Sequence, residues 1–152
     1  MKNSQDERFM QAALEEALKA QSLGEVPVGA VVVAGAEVLA RGHNRPISDL
    51  DPTAHAEIMA IREACRAEKN YRLQGCDLYV TLEPCAMCLG AAVQARIRRL
   101  VFGARDPKSG AVESVFVLPV SRLNHRIEIR GGILAEECGQ MLASFFETRR
   151  GR

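Results

Sequence analysis

Two cysteines set three residues apart, directly after a proline, constrain the fold of this chain more than any other feature. Residues 81–88 read TLEPCAMC, so Pro84 precedes Cys85 and Cys88. Residues three apart on a helix share one face, which lets both sulfurs reach the same point. The start of a helix also favours the thiolate, the form of cysteine that binds metals. This motif therefore predicts metal or redox chemistry at a helix N-terminus.

The composition indicates one domain with one core over residues 1–152. The chain is 47% hydrophobic and 26% charged, and it shows no repeat, low-complexity tract or linker. A chain of this size buries about 70% of its unfolded surface without disulfides. Its five cysteines are an odd number, which argues against a complete disulfide framework. We therefore expect a reducing, cytoplasmic location, with Cys65, Cys76 and Cys138 acting as core side chains.

The hydrophobic pattern of the sequence does not suggest insertion into a membrane. The first residues are polar and then amphipathic, without the apolar stretch of a signal peptide. The longest apolar run, residues 26–36, has 11 residues, whereas a membrane-spanning helix needs about 20. We expect no membrane partner.

Charge is spread unevenly along the chain. Residues 1–63 carry a balance of −4 and residues 64–152 a balance of +5. Basic side chains cluster in residues 96–108 and again at the end, in Arg149, Arg150 and Arg152. Such clusters can follow a phosphate backbone, although charge alone is a weak signal and favours a solvated surface.

The hydrophobic pattern predicts an α/β domain. Helices are expected over residues 5–22, 54–68, 85–95 and 135–150, and strands over a hairpin at 28–42 and over 77–82, 98–103 and 126–132. Thr53 is expected to cap the second helix and Pro84 to occupy the first position of the third. This order predicts a three-layer α/β/α sandwich with a mixed central sheet.

Upstream of the cysteines, the sequence TAHAEI supplies His55 and Glu57 as His-x-Glu. One imidazole nitrogen and the thiolates of Cys85 and Cys88 suit Zn²⁺ and leave a fourth tetrahedral position open, as in catalytic sites. Zinc lowers the pKa of its bound water to about 7, and Glu57 lies near enough to carry the displaced proton. His-x-Glu followed by Pro-Cys-x-x-Cys is the pattern of zinc nucleobase deaminases.

Two other interpretations of the motif fit less well. A redox pair leaves His55 and Glu57 without a role, and a structural zinc module needs a fourth ligand rather than a free carboxylate.

Several residues outside the motif have two possible roles each. Asn44 either forms a turn or hydrogen-bonds a base edge, and Asp106 either caps a turn or touches substrate. Phe145 and Phe146 are adjacent on a helix, so one of them is free to stack on a base.

At DPTAHAEIMAI, YVTLEPCAMC and VFGARD the chain resembles the bacterial tRNA-specific adenosine deaminases, which convert the wobble adenosine of an anticodon to inosine. The resemblance runs from about residue 7 to residue 150 and includes GHNRP and SFFETRR. The metal motif is shared by all cytidine-deaminase-like enzymes, whereas the longer phrases are more specific. Residues 112–123 depart from the family pattern, since Val-Glu-Ser stands where small residues are usual.

The resemblance implies a cytidine-deaminase-like α/β/α sandwich, a homodimer, one zinc ion per chain and no organic cofactor. It implies that Glu57 is the proton shuttle and that the zinc ligands are His55, Cys85 and Cys88. Substrate contacts carried over from the family fall on Asn44, Asp106, Phe146 and Arg149. The runner-up function is a deaminase of free nucleosides or bases, of cytidine or guanine type, with the same metal chemistry.

Overall fold

The computed structural model describes residues 2–150, with the side chains of residues 4–149. Four α-helices and five β-strands form it. The helices are α1 (Lys2–Ser22), α2 (Ala56–Glu68), α3 (Ala86–Gln94) and α4 (Ala135–Arg150). The strands are β1 (Gly29–Ala34), β2 (Glu37–His43), β3 (Cys76–Leu82), β4 (Arg99–Ala104) and β5 (Glu128–Arg130). A short 3-10 helix at Val120–Arg122 was not expected.

The strands form one mixed sheet in the order β2-β1-β3-β4-β5. Strand β1 pairs antiparallel with β2 and β3, whereas β3, β4 and β5 run parallel. The predicted hairpin is confirmed, and its turn contains Gly35 at φ +65°, a conformation that suits glycine. The predicted α/β class with a mixed sheet is therefore confirmed.

Two apolar layers cover the sheet because side chains alternate along each strand. Leu78 and Val80 of β3 pack with α2 and α3 on one face. Tyr79, between them, packs with Phe9 of α1 on the other face, where Cys138 of α4 also lies. The result is the predicted three-layer sandwich. None of the helices in residues 2–150 combines the length and hydropathy that a bilayer crossing requires.

Three strands end at the same edge of the sheet. The parallel strands β3 and β4 lead there into Glu83 and Asp106. Strand β2 joins them because its last residue, His43, pairs with Gly29 at the start of the antiparallel β1. The carboxyl ends of strands are where α/β sheets commonly bind ligands. We call this edge the pocket end of the sheet.

The starts of α2 and α3 differ from the prediction by one or two residues. The hydroxyl and N–H of Thr53 donate to Asp51 at 2.7 and 2.9 Å, so Thr53 serves that turn instead, and His55 is the N-cap of α2. Cys85 is the N-cap of α3, which leaves Pro84 outside the helix. Both shifts place a predicted metal ligand at the N-cap position.

Strand β5 is shorter than predicted, at three residues instead of seven. Gly131 lies against the ring of Phe102, where even a Cβ atom would come within 2.2 Å, and Gly132 has φ +88°. The chain therefore turns away from the sheet after Arg130 and enters α4.

A buried ion-pair cluster lies where β3 and β4 begin, which we call the far end of the sheet. Asp6 of α1 accepts hydrogen bonds from Arg99 at 2.7 and 2.8 Å and from the Tyr79 hydroxyl at 2.6 Å, and Arg130 lies 3.1 Å away. Burial raises the pKa of Asp6, but the bonds from Arg99 and Tyr79 outweigh it and lower the pKa below 3.8. This cluster ties α1 to the sheet.

Candidate functional site

The starts of α2 and α3 bring three possible metal ligands together, which we call the metal cluster: His55, Cys85 and Cys88. The Nδ1 atom of His55 lies 3.6 Å from Cys85 Sγ and 3.5 Å from Cys88 Sγ. All three ligand atoms lie within 4.8 Å of one another. The structure thus assembles residues that are thirty positions apart in sequence at a single point, as the motif predicted.

The spacing of these atoms can be compared with a tetrahedral zinc site. Bonds of about 2.3 Å to sulfur and about 2.0–2.1 Å to nitrogen place neighbouring ligands about 3.6 Å apart at the tetrahedral angle. The observed nitrogen–sulfur distances are 3.5 and 3.6 Å. One nitrogen and two sulfurs are also the donor types that zinc prefers. Both the geometry and the chemistry of the donor set fit zinc.

The protonation of the two thiols supports metal binding. A hydrogen bond from the Cys88 thiol, together with one from His55, lowers the pKa of Cys85 to about 4. The same bond raises the pKa of Cys88, and contact with the Cys85 sulfur raises that of His55. One ligand is therefore a thiolate at neutral pH in the protein itself, and thiolate is the ligating form.

Glu57 lies beside the metal cluster, in the first turn of α2, with only 4% of its surface exposed. Burial raises the pKa of its carboxyl group to about 7, and the nearby Cys85 thiolate adds to the shift. Its own backbone N–H and the Cys88 thiol oppose the shift without cancelling it. A carboxyl group with these properties can both accept and release a proton near neutral pH.

His55, Glu57 and Cys85 line a cavity of about 190 Å³ at the pocket end of the sheet. Its walls are largely apolar and come from Val26, Val28, Pro46 and Leu82. Small-molecule sites usually measure about 300–1,000 Å³, so this cavity has room for a base rather than a whole nucleotide. Asn44 and Asp106 lie at its rim, as the predicted substrate contacts require.

Glu83 anchors one side of this cavity. Its carboxylate accepts N–H groups from Asp106, Val112, Glu113 and Ser114 at 2.9–3.0 Å, and also the Ser114 hydroxyl. Burial raises the pKa of Glu83, but these donors prevail and bring it to about 2. We call residues 105–114, which wrap this carboxylate, the rim segment. It includes the start of the region that departs from the family pattern.

Glu25 anchors a second loop, which contributes Asn44 and Pro46 to the cavity, in a similar way. It is 1% exposed and accepts the N–H groups of Ile47 and Ser48 at 3.3 and 2.6 Å. Burial raises its pKa, but the backbone bond from Ser48 and the other donors lower it below 4.5. Sequence analysis missed both anchors. A lone glutamate between a strand and a helix gives no pattern, because its partners are backbone atoms of distant loops.

The structure tests the alternatives that the sequence left open for Asp106 and Asn44. The Asp106 carboxylate accepts N–H groups from Lys108 and Ser109 and the Ser109 hydroxyl, so the turn-capping alternative is confirmed. The N–H of Asn44 donates to the carbonyl of Val28 at 3.0 Å. Within the described residues the Asn44 side chain forms no turn hydrogen bond, and Asn44 is one of the residues that line the cavity. Substrate contact by either residue stays a prediction.

The two predicted contacts on α4 lie at different places. Phe146 is 38% exposed and lines a groove of about 370 Å³ that shares Leu82 and Asp106 with the cavity, and Lys108 lies over its ring. Arg149 lies in a separate crevice, where it stacks on Phe145 and donates to the carbonyl of Gly24. Of the predicted basic tail, Arg152 and the side chain of Arg150 lie outside the described residues.

The similarity to known proteins extends over nearly the whole chain. The family described as MafB19-like deaminase matches residues 4–150. The chain is 52% identical over 147 residues to a tRNA-specific adenosine deaminase of Haemophilus influenzae, which covers 95% of this chain and 85% of that protein.

Solved structures place this fold among the deaminases. A structure from a study of A-to-I editing by tRNA deaminases at the wobble position of transfer RNA has a TM-score of 0.83 and 49% identity, covering 89% of this chain and 99% of that one. A guanine deaminase from Nitrosomonas europaea has a TM-score of 0.77 at 25% identity, covering 91% and 83%. The higher identity and the higher TM-score both favour the tRNA-editing relative.

Proposed function

The chain belongs to the family of tRNA-specific adenosine deaminases, and on that premise we propose that it converts the wobble adenosine of a tRNA anticodon to inosine. The observation that carries this proposal is the buried carboxyl group of Glu57, which lies beside the metal cluster and lines a cavity with room for one nucleobase. An anticodon loop suits such a cavity because its bases are already unpaired and can be turned outward at low cost.

The metal in this proposal is zinc, held by His55, Cys85 and Cys88. Their donor types and their mutual distances support that choice over magnesium or calcium, which prefer oxygen ligands. A zinc ion held by these three ligands would keep its fourth position for solvent and would supply Lewis-acid activation of the attacking water. Elemental analysis of the purified protein is expected to find about one zinc per chain.

Glu57 is the proton shuttle of the proposed reaction. It accepts a proton from the attacking water, whose oxygen bonds to C6 of the adenine, and delivers that proton to ring N1. It then transfers the remaining hydroxyl proton to the exocyclic amine, the C6–N bond breaks, and ammonia leaves. The product is inosine, with one water consumed. Its burial and its place in the cavity wall beside the metal cluster support this role.

Four residues are proposed to hold the RNA. The side-chain amide of Asn44 would meet the edge of the extruded adenine, and Asp106 would lie along the backbone beside it. Phe146 would stack on a base in the adjoining groove, and Arg149 would contact phosphate. Of the basic residues at 96–108, Arg105 and Lys108 line this groove and would extend the surface. Arg98 and Arg99 instead pair with Asp77 and Asp6 at the far end of the sheet.

We further propose that two chains associate, with each copy acting as one deaminase domain over residues 1–152. Helix α3 exposes Ala86 and Met87, and Gly90 and Ala91 on it are half-buried, so a second chain could approach closely there. Light scattering is expected to give twice the chain mass of 16.6 kDa, and Met87→Asp is expected to give monomers. A monomeric wild type would contradict this part of the proposal.

The free cysteines and the tRNA substrate support a cytoplasmic location.

The activity is tested by incubating the purified, zinc-containing protein with a mixed tRNA pool and sequencing the products. Inosine at the first anticodon position is expected, with no uridine formed from cytidine. Free adenosine, guanine and cytidine are supplied in parallel reactions, and released ammonia is measured. Glu57→Gln is the matched control, because it keeps the shape of the side chain and removes its proton transfer.

The outcomes separate the candidate functions. Inosine in tRNA with little ammonia from free compounds supports the proposal. Ammonia from guanine or cytidine without tRNA inosine would instead assign the runner-up function, a deaminase of free bases or nucleosides. Tight tRNA binding without any deamination would point to a non-catalytic RNA-binding module.

A further inference from the structure

We propose that Glu83 is a positioning residue of the deamination reaction: it holds the rim segment, residues 105–114, over the cavity and thereby sets how tightly substrate binds. The effect on substrate binding rests on the proposed function, whereas the hydrogen bonds between Glu83 and the rim segment do not depend on it. Glu83 lies between β3 and Cys85, and it is 2% exposed. Its side chain lines the cavity that Asp106 and Ser109 of the rim segment also line.

The hydrogen bonds to Glu83 exclude a direct catalytic role. Its two oxygens accept five donors, four of them backbone N–H groups from the rim segment and one the hydroxyl of Ser114. A carboxylate offers about four lone-pair sites. A group this fully occupied has no acceptor left for water or substrate, unlike Glu57, so its effect must pass through the residues that it holds.

The donors show what Glu83 organises. The N–H groups come from both ends of the rim segment, from Asp106 on one side and Val112–Ser114 on the other. The chain therefore closes around one carboxylate, in the way that a loop closes around a bound anion. Between these points Asp106 caps its own turn through Ser109, which fixes the part of the segment that faces the cavity.

Close packing at Gly110 makes the arrangement intolerant of change. A Cβ atom at this position would lie 2.4–2.6 Å from the carboxylate atoms of Glu83. The carboxylate could move away only by giving up its donors. Gly110→Ala therefore disturbs the same anchor from the opposite side without altering Glu83.

The first measurement is amide hydrogen exchange of the zinc-containing protein. In Glu83→Gln, the side-chain NH₂ group faces at least one backbone N–H donor in either orientation, so hydrogen bonds are lost. Exchange at Val112–Ser114 is expected to accelerate at least about tenfold. Glu25→Gln is the matched control: it also removes the charge of a buried anchor, but it should accelerate exchange near residues 47 and 48 and leave Val112–Ser114 unchanged.

The second measurement is steady-state kinetics on an anticodon stem-loop that contains the wobble adenosine. The rim segment is expected to contact substrate equally in the ground and transition states, so its loosening should raise KM about tenfold and change kcat by less than about threefold. Zinc content should stay at the wild-type value, because the metal cluster is untouched. Gly110→Ala should show the same split between KM and kcat.

Distinct results overturn the inference. Wild-type exchange at Val112–Ser114 in both Glu83→Gln and Gly110→Ala would show that Glu83 does not hold the segment. A fall in kcat at unchanged KM, or a loss of zinc, would assign Glu83 to the chemical step or to the metal cluster. If Glu83→Gln does not fold, Gly110→Ala decides by the same criteria. If the wild type edits no RNA, the proposed function fails, while the exchange data still decide the anchor.

Discussion

The two ends of the sheet both bury acidic side chains, but they compensate the buried charge in different ways. At the far end, Asp6 lies against the guanidinium of Arg99, and its pKa is lowered. At the pocket end, Glu83 is held by backbone N–H groups, and its pKa falls to about 2. Glu57 lies near it with too few donors to offset burial, and its pKa rises to about 7.

This difference indicates what each buried carboxyl group does. A buried pair of opposite charges joins two elements, and losing either partner is strongly destabilising because the other charge stays buried and unpaired. Backbone donors hold a loop in place around a carboxylate. A carboxyl group with few donors costs stability and is available for proton transfer. Activity should therefore depend on the pocket end and stability on the far end.

The largest effect is expected from Glu57→Gln. Removing the proton shuttle should lower kcat on an anticodon stem-loop by about 10³-fold. The melting temperature should not fall, because the amide removes a carboxyl group whose charged form is penalised by burial. A time course of inosine formation measures kcat, and thermal unfolding of the same preparation measures the melting temperature. Wild-type kcat would contradict the role of Glu57, and a large loss of stability would contradict the division between the ends.

Asp6→Asn should give the opposite result. It leaves the buried guanidinium of Arg99 without its main counter-charge, and the loss should be about 3 kcal/mol of unfolding free energy. The activity per folded molecule should stay within about twofold of wild type, because Asp6 lies at the other end of the sheet. Urea unfolding and the stem-loop assay at low temperature test the two statements. The matched control is Glu128→Gln, which removes an exposed partner of the same arginine and should cost little.

The sequence was sufficient to predict the class and order of the elements. Short apolar runs at β3 and β4 and helical periodicity in α1 and α4 predicted the mixed sheet with helices on both faces. The errors lie at element ends, where side-chain hydrogen bonds compete with propensity. Thr53 serves the turn of Asp51 rather than α2, and two glycines end β5 early because one packs on Phe102.

The site could be predicted only where the ligand chemistry leaves a spaced pattern. His55, Glu57, Cys85 and Cys88 occur as two short motifs whose residue types imply a metal and a proton carrier. The anchors leave no such signal, because Glu83 and Glu25 bind backbone N–H groups that every residue type provides. Asp6 and Arg99 are likewise separated by most of the chain. Tertiary structure alone brings these pairs together.

Tyr79→Phe should have a smaller effect at the far end. The Tyr79 hydroxyl donates to Asp6 at 2.6 Å, and burial followed by this bond raises the pKa of the phenol above 10. Phenylalanine keeps the ring and its packing on Phe9, so the loss should be that of one charge-assisted hydrogen bond, about 1.5 kcal/mol. Urea unfolding of the single variants and of the double variant with Asp6→Asn measures it. Fully additive effects would show that the hydroxyl does not act through Asp6.

The smallest effect concerns acid. The pKa of Asp6 is lower in the folded protein than its ordinary value of 3.8, so its stabilising contribution is complete above that value and is lost as pH falls through the folded pKa. The difference in unfolding free energy between wild type and Asp6→Asn should therefore be constant from pH 7 to pH 5 and should shrink by on the order of 1 kcal/mol by pH 3. Other carboxyl groups titrate in both proteins and cancel in this difference. A difference that stays constant to pH 3 would mean that Asp6 carries no lowered pKa, and the far end would then owe its stability to packing of α1 rather than to its charge pair.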